Sequence, residues 1–436
     1  VDGNIDWLAA NRWLKLPIDN QIPRLFAEKL AANESPRGML AALEWLSSDR
    51  PPLQTGVILL AWPWFSCPGV DVINGSHAIG MWFQLLWVAS AWGIVRSLGI
   101  GQGSAILIVG LCATTGFMLI NTVYVWPKLG AAALIIGAFA IYFHNENRDY
   151  PRIVIVAVML GLGWIAHGGS AFAMIGMAVL MMFKPPWPKI KSVLIGVSVF
   201  AAYALPWFGY QKIYEPPANR LIKWHLAGVI PVDGRSSLQT IQDSYHEIKL
   251  EGALKNKIEN AKTVFYGSWQ KIISFSTDDY KKKQSDEFYY LFRSMSLIII
   301  LFIMILVNIL YNKIMNRSVN EIRKDLMYLS WVLTSVIIWI IFLFGPGSTV
   351  NHSGSLVFQI VLITVSCSAA WIIHRKIFYI VSILQVISML TTWLPSYTLD
   401  SEKINSCSLT LLLSICAICF YCVLRFRKHI IEYNNG

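Results

Sequence analysis

The sequence predicts an all-α protein: a polytopic transmembrane helix bundle with external juxtamembrane helices and one larger external loop. Three observations carry that prediction. Mean hydropathy is +0.52 over 436 residues. Charged residues make up 14% of the chain, where a soluble domain carries roughly a quarter. Apolar runs of about twenty residues recur, the length a helix needs to cross a bilayer. The formal net charge of +11 belongs with these runs. Basic clusters stand at the ends of the runs, as the positive-inside rule requires, so no nucleic-acid partner is expected.

Residues 1–77 read as an external segment with juxtamembrane helices. Within it, 15–56 are polar and close to charge-balanced. Ile22, Leu25, Phe26 and Leu30 fall on one face at helical spacing, which predicts an amphipathic helix. Asp49-Arg50-Pro51-Pro52 stops that pattern. Residues 53–68 are apolar but short, and Pro63 and Pro68 break them. They read as a juxtamembrane or re-entrant helix that does not cross; the alternative, a crossing helix, would put Asp19 in the cytoplasm. Residues 78–208 form an N-terminal bundle with spans at 78–97, 103–121, 128–144, 152–166, 168–183 and 190–208. An external loop, 209–290, is too small and polar for a large core of its own. Residues 291–436 form a C-terminal bundle with spans at 291–311, 325–344, 356–373, 377–395 and 406–424.

About eleven spans are therefore visible. The chain begins with Val rather than Met, and the parity of the charge pattern fits a first span upstream. Six basic clusters, around Arg96, Arg148, Lys184, Lys313, Arg375 and Arg425, go to the cytoplasm without contradiction. The opposite ends, 121–127, 167–169, 209–290, 345–355 and 396–405, then share the external face. Most of the seven cysteines sit inside apolar runs as small hydrophobes, with no metal-ligand spacing or disulfide framework.

Asp19 opens the amphipathic pattern, and two readings stand. It is a helix N-cap, or it is a carboxylate that takes a proton or holds a metal during group transfer. Asp2 and Asp6 are alternatives that lack a following helical pattern. The string Asp-Asn-x-Ile-Pro-x-x-Phe-Ala-Glu-x-Leu from Asp19, followed by Arg50-Pro51-Pro52-Leu53, resembles the first external loop of the GT-C membrane glycosyltransferases. That group includes the protein O-mannosyltransferases and the aminoarabinose transferases. The resemblance covers residues 19–145 best and the remainder only as a topology.

The resemblance implies that Asp19 is the catalytic acidic residue. It implies a polyprenyl-phosphate sugar as donor, an acceptor that is a lipid, glycan or protein, and a bacterial inner membrane with the active face external. A departing lipid phosphate needs positive charge. Arg50 and Lys128 stand at the right level, though a lysine opening a span is also a snorkelling anchor. The second external loop supplies Asn121 and Tyr124. Family members often carry a second acid in this loop. Asn121 replaces it, which weakens a divalent-cation mechanism and leaves the cofactor unknown.

Arg220 and Lys223, with Asn219, Trp224 and His225, form a basic-aromatic cluster just beyond a span. It reads either as interfacial anchoring or as a phosphate clamp, since guanidinium fits phosphate bidentately. Asn20, His167, His225 and His352 are candidates to line the substrate cavity beside Asn121 and Tyr124. Two histidines at external helix ends suggest acid–base or headgroup contact. The rival functions are a polytopic transporter or flippase, a polysaccharide polymerase or ligase, and a non-catalytic relative. Charge in transporters usually sits at mid-bilayer on broken helices. Here the polar residues gather at the external ends of the spans.

Overall fold

A computed structural model describes residues 16, 18–40, 45–65, 71–144, 150–183, 185, 187–266, 277–314, 323–353 and 357–393. The predicted span at 406–424, the loop at 396–405, and Asp2 and Asp6 lie outside the described residues.

The first segment folds much as its pattern predicts. A short 3-10 turn, Ile18–Gln21, leads into α1, Ile22–Ala31. Pro23 sits in the first turn of α1, where a missing N–H costs nothing. Ile22 and Phe26 bury against Leu40, Trp45 and Trp207, with Leu25 partly buried beside them. Each such side chain contributes about 1.5–3 kcal/mol. Leu30 departs from the predicted face. It lies at the frayed end of α1 and is 40% exposed. A two-residue antiparallel ladder pairs Met39–Leu40 with Trp45–Leu46. The apolar stretch after Pro52 is α2, Leu53–Leu60, followed by one turn at Trp62–Phe65. At ~1.5 Å per residue α2 is less than half a bilayer long.

The bundle begins with α3 (Val72–Gln84) and α4 (Leu86–Ser97), which form one continuous crossing length. The predicted span at 103–121 is not straight. It consists of α5 (Gln102–Ala113) and α6 (Gly116–Val123), bent by 77°. The cause is local. Thr114 and Thr115 donate their hydroxyls back to Leu111 and Cys112 carbonyls, and Thr115 Oγ1 caps a new helix at Met118 N. Three shorter apolar helices follow: α7 (Lys128–Phe143), α8 (Tyr150–Ala166) and α9 (Ala171–Met182). The last of this half, α10 (Ile190–Gly209), runs on through a π-turn to Tyr214 and is again long enough to cross.

The described residues between 215 and 290 are largely helical. They carry α11 (Arg220–Ala227), α12 (Ser237–Phe265, kinked at Lys249 with φ 55°) and α13 (Thr277–Tyr289). The rest of the described chain holds α14 (Ile299–Ile314), α15 (Arg323–Phe342), α16 (Pro346–Ser353), α17 (Val357–Ile373) and α18 (Arg375–Trp393). The predicted span at 291–311 is entered at a bend: 282–289 meets 293–309 at 79°. Among the described residues, two helices are long and apolar enough to cross, or up to four with each bent pair counted once. Five shorter apolar helices stand beside them.

Helix α17 forms the axis. It is buried along nearly its whole length, as expected of a helix that is apolar all round. It packs on α4, α5, α7, α14, α15 and α18. Trp331 of α15 stacks on Phe139 of α7 at 4.0 Å and donates its indole N–H to the Ala173 carbonyl at 2.8 Å. Gly176 of α9 lies directly against Ser335 of α15, with no room for a Cβ, so small residues let these helices close.

The segment after α10 clasps the first loop. Glu215 is buried and accepts from Gly38 N (2.7 Å), Ser47 Oγ (2.8 Å) and Ser48 N (2.7 Å). Gln211 adds a bond to the Ser48 carbonyl at 3.1 Å. Glu215→Ala leaves those donors without their acceptor. It is expected to cost about 2–4 kcal/mol, read as a lower unfolding midpoint in detergent and as earlier proteolytic cleavage between residues 35 and 50.

Candidate active site

The site forms where the first loop meets the α6–α7 connection, on the same end of the bundle as the α8–α9 turn and α11. Asp19 is not the cap of α1. The cap position is Gln21, which makes no capping bond. The Asp19 carboxylate is 1% exposed and turns across the fold. Its Oδ2 pairs with the Arg50 guanidinium, and its Oδ1 accepts from the Tyr124 hydroxyl at 3.0 Å. Asn20 follows it in and donates to the Tyr124 carbonyl at 3.2 Å. Asp19, Asn20, Arg50 and Tyr124, far apart in sequence, thus form one buried unit.

The α6–α7 connection is strained to make this contact. Val125 holds φ at 56°, rare for a β-branched residue. Strain of this kind costs ~1–3 kcal/mol and persists only where surroundings enforce it. Gln54 of α2 helps, donating to the Val125 carbonyl at 3.0 Å. Tyr124 and Trp126, on either side of Val125, stand edge to face at 5.0 Å.

Cations collect around two indoles. The Arg50 guanidinium lies 5.0 Å from the Trp45 ring and 5.5 Å from the Trp126 ring. Arg220 lies over the same Trp45 ring at 4.9 Å, and Lys128 Nζ over Trp126 at 3.5 Å. Such contacts contribute about 0.5–2 kcal/mol each and hold like charges together that would otherwise separate. Burial is the larger cause that pulls Arg50 down to about 10, with Tyr124 opposing it and Arg220 adding to it. The group still carries its charge at neutral pH. His167, between α8 and α9, is held neutral by burial and then by Lys128, Arg50 and His225. His225 is pulled down to about 4 by burial, Arg50 and Lys128. Arg50, Arg220, Lys128, His167 and His225 therefore share one electropositive region.

Asp49 is the acidic counterweight. It is buried, accepts from Leu46 N at 2.9 Å and lies 3.6 Å from Arg220. Burial raises it to about 6, with the Leu46 N–H and Arg220 opposing and Glu215 adding. The stability consequence has a definite sign. A carboxyl raised on folding binds its proton more tightly in the native state, so its contribution falls as pH rises from 4 to 6. A histidine lowered on folding acts in reverse, and its contribution falls as pH drops from 6.5 to 4. In the wild type the two oppose. In Asp49→Asn only the histidine effect remains, so thermal stability is expected to fall more steeply below pH 6.5 than in the wild type. A melting series from pH 4 to 7 reads the difference.

Two predicted residues stand apart from this cluster, and a third is not placed. Lys223 is 0% exposed and binds Asp233 at 2.5 Å and its carbonyl at 3.2 Å, closing the turn after α11. Asn121 donates back to the Phe117 carbonyl within α6 at 2.9 Å. His352 falls in α16, with its side chain outside the described residues. Conversely, Trp45, Asp49, Trp126 and Glu215 were not singled out from sequence. No group of three or more His, Cys, Asp or Glu that could hold a metal ion occurs among the described residues. The immediate neighbours of Asp19, a guanidinium and a hydroxyl donor, do not suit a cation.

Beside the cluster runs an apolar groove. One part, about 550 Å³, is lined by Pro52, Leu53, Val57, Leu60 and Ile165. A second part, about 340 Å³, shares Pro52 and Ile165 and reaches Tyr203, Trp207 and Tyr210. Pro52, two residues after Arg50 in the chain, lines both parts.

Against known proteins, no family model and no curated protein matches this sequence. The fold does match solved structures. ArnT from Cupriavidus metallidurans, in a crystal structure bound to undecaprenyl phosphate, superimposes with a TM-score of 0.52 over 92% of this chain, at 10% identity. The chain has a GT-C glycosyltransferase-like fold. It spans 64% of the ArnT chain, less than two thirds of its length. An apo oligosaccharyltransferase from Archaeoglobus fulgidus also aligns, over 90% of this chain and 54% of its own, with a TM-score of 0.43 and 13% identity. The apolar helices of this chain fit an integral membrane protein.

Proposed function

We propose that this chain is a GT-C type membrane glycosyltransferase that moves a sugar from a polyprenyl-phosphate donor to an acceptor hydroxyl on a lipid, glycan or protein, at the external face of a bacterial inner membrane. The observation that carries the reading is the buried Asp19 carboxylate set directly against a cationic cluster, with an apolar groove whose lining includes Pro52, two residues along the chain from Arg50. The groove suits an isoprenoid chain, and the cations suit its phosphate. The solved structure of ArnT, with undecaprenyl phosphate bound, supports the same class of donor.

In this reading the acceptor O–H gives its proton to Asp19 as its oxygen attacks the sugar's anomeric carbon. The bond from that carbon to the phosphate oxygen breaks, and the electron pair leaves with the polyprenyl phosphate. Arg50 and Lys128 receive the developing charge, Arg220 supports Arg50 across Trp45, and the neutral His167 and His225 border the same space. The membrane tether and the buried site supply orientation. Lys223, bound to Asp233, is left out of the donor-phosphate set, and no step is routed through a divalent cation.

The test is a purified-protein assay in vesicles with a labelled polyprenyl-phosphate sugar. Label leaving the lipid and appearing on an acceptor supports the reading. Label that stays on the lipid and merely crosses the bilayer would make the chain a flippase.

A further inference from the structure

Two buried N–H groups in the site find no acceptor among the described residues: Arg50 Nε and the indole Nε1 of Trp126. A buried donor left unmatched costs about 1–3 kcal/mol, so each calls for an acceptor from outside the chain. The Arg50 case is absorbed by the phosphate reading. The Trp126 case is not. Indole can only donate. Trp126 is 4% exposed and rigidly packed, stacked on Phe288 at 6.4 Å and edge-on to Tyr124. Its ring already carries Lys128 Nζ, which has no carboxylate partner among the described residues, and borders Arg50. The cation contacts account for the indole ring but give its N–H no role.

We infer that Trp126 is a direct donor to the ligand, its indole N–H binding an oxygen of the lipid phosphate that Arg50 and Lys128 also hold. This rests on the donor assigned under the proposed function. A phosphate has several oxygens to satisfy, and a fixed neutral donor selects the anionic headgroup without adding a third cation to a crowded site. It makes Trp126 a specificity residue, one that separates the phosphate from the neutral alcohol of the same chain.

The test titrates a polyprenyl phosphate and the matching polyprenol into wild-type protein and Trp126→Phe in detergent. The wild type is expected to prefer the phosphate. The variant is expected to lose about tenfold of that preference, the effect of one hydrogen bond to a charged group, with alcohol affinity unchanged. An unaltered preference in Trp126→Phe overturns the inference and leaves the proposed function standing. A wild type with no preference for the phosphate removes the proposed function itself. Competition by inorganic phosphate at comparable affinity would make the free ion the ligand and overturn the lipid assignment. If Trp126→Phe fails to fold, benzothienylalanine at position 126 keeps the ring and exchanges only N–H for sulfur, and the same two outcomes decide.

Discussion

Asp19→Asn is expected to lower sugar transfer by about 10²–10⁴, the range for loss of a general base, while polyprenyl-phosphate binding persists. The variant keeps the shape of the side chain and an oxygen for the Tyr124 hydroxyl. It removes the charge that faces Arg50. That loss also has a structural side, because a buried cation without its partner costs about 3–5 kcal/mol. The double variant Asp19→Asn/Arg50→Gln separates the two. It removes both charges and should recover much of the folding stability without recovering transfer. Normal transfer by a well-expressed Asp19→Asn protein would end the assignment of the base.

Arg50→Gln is expected to lower transfer by about 10²–10³, the cost of removing one preorganised donor from a developing negative charge. It should also weaken polyprenyl-phosphate binding. Arg50 is the member of the cluster that touches everything else: Asp19, the Trp45 and Trp126 rings, and the fields of Arg220 and the two histidines. Only one of its N–H groups is engaged by Asp19, and Nε has no acceptor among the described residues. Arg50→Lys tests whether charge alone suffices. Lysine lacks the planar fork that lies over two indoles and reaches phosphate and carboxylate together, so it should restore only part of the loss. Full activity in Arg50→Lys would reduce the role to a point charge. Full activity in Arg50→Gln would remove Arg50 from the site.

Much of this site was legible in the sequence, because order along the chain carried it. Asp19 ahead of an amphipathic helix, Arg50 at the stop before an apolar run, and Tyr124 with Lys128 opening a span all end in one cluster. The bundle was legible from hydropathy alone. What periodicity could not show was where a span bends. Thr114-Thr115 is a small polar interruption inside an apolar run, yet it restarts the helix.

Aromatic residues near span ends default to interfacial anchors, so Trp45 and Trp126 carried no signal until the fold set cations over their rings. Trp126 does sit in sequence between Tyr124 and Lys128, and that spacing is the clue that was available. Asp49 read as punctuation before two prolines, and its pairing with Arg220 bridges 171 positions. Lys223 misled in the opposite direction. Its partner Asp233 is only ten residues on, and a local turn satisfies it before any ligand can.

The most direct measurement is a structure of the protein with a polyprenyl phosphate bound. The phosphate is expected within about 3 Å of the Arg50 guanidinium and the Lys128 ammonium, the isoprenoid chain in the groove past Pro52 and Ile165, and Asp19 facing the sugar side of the phosphate. A phosphate seated elsewhere, with the Arg50–Asp19 pair closed and Lys128 untouched, would contradict this placement.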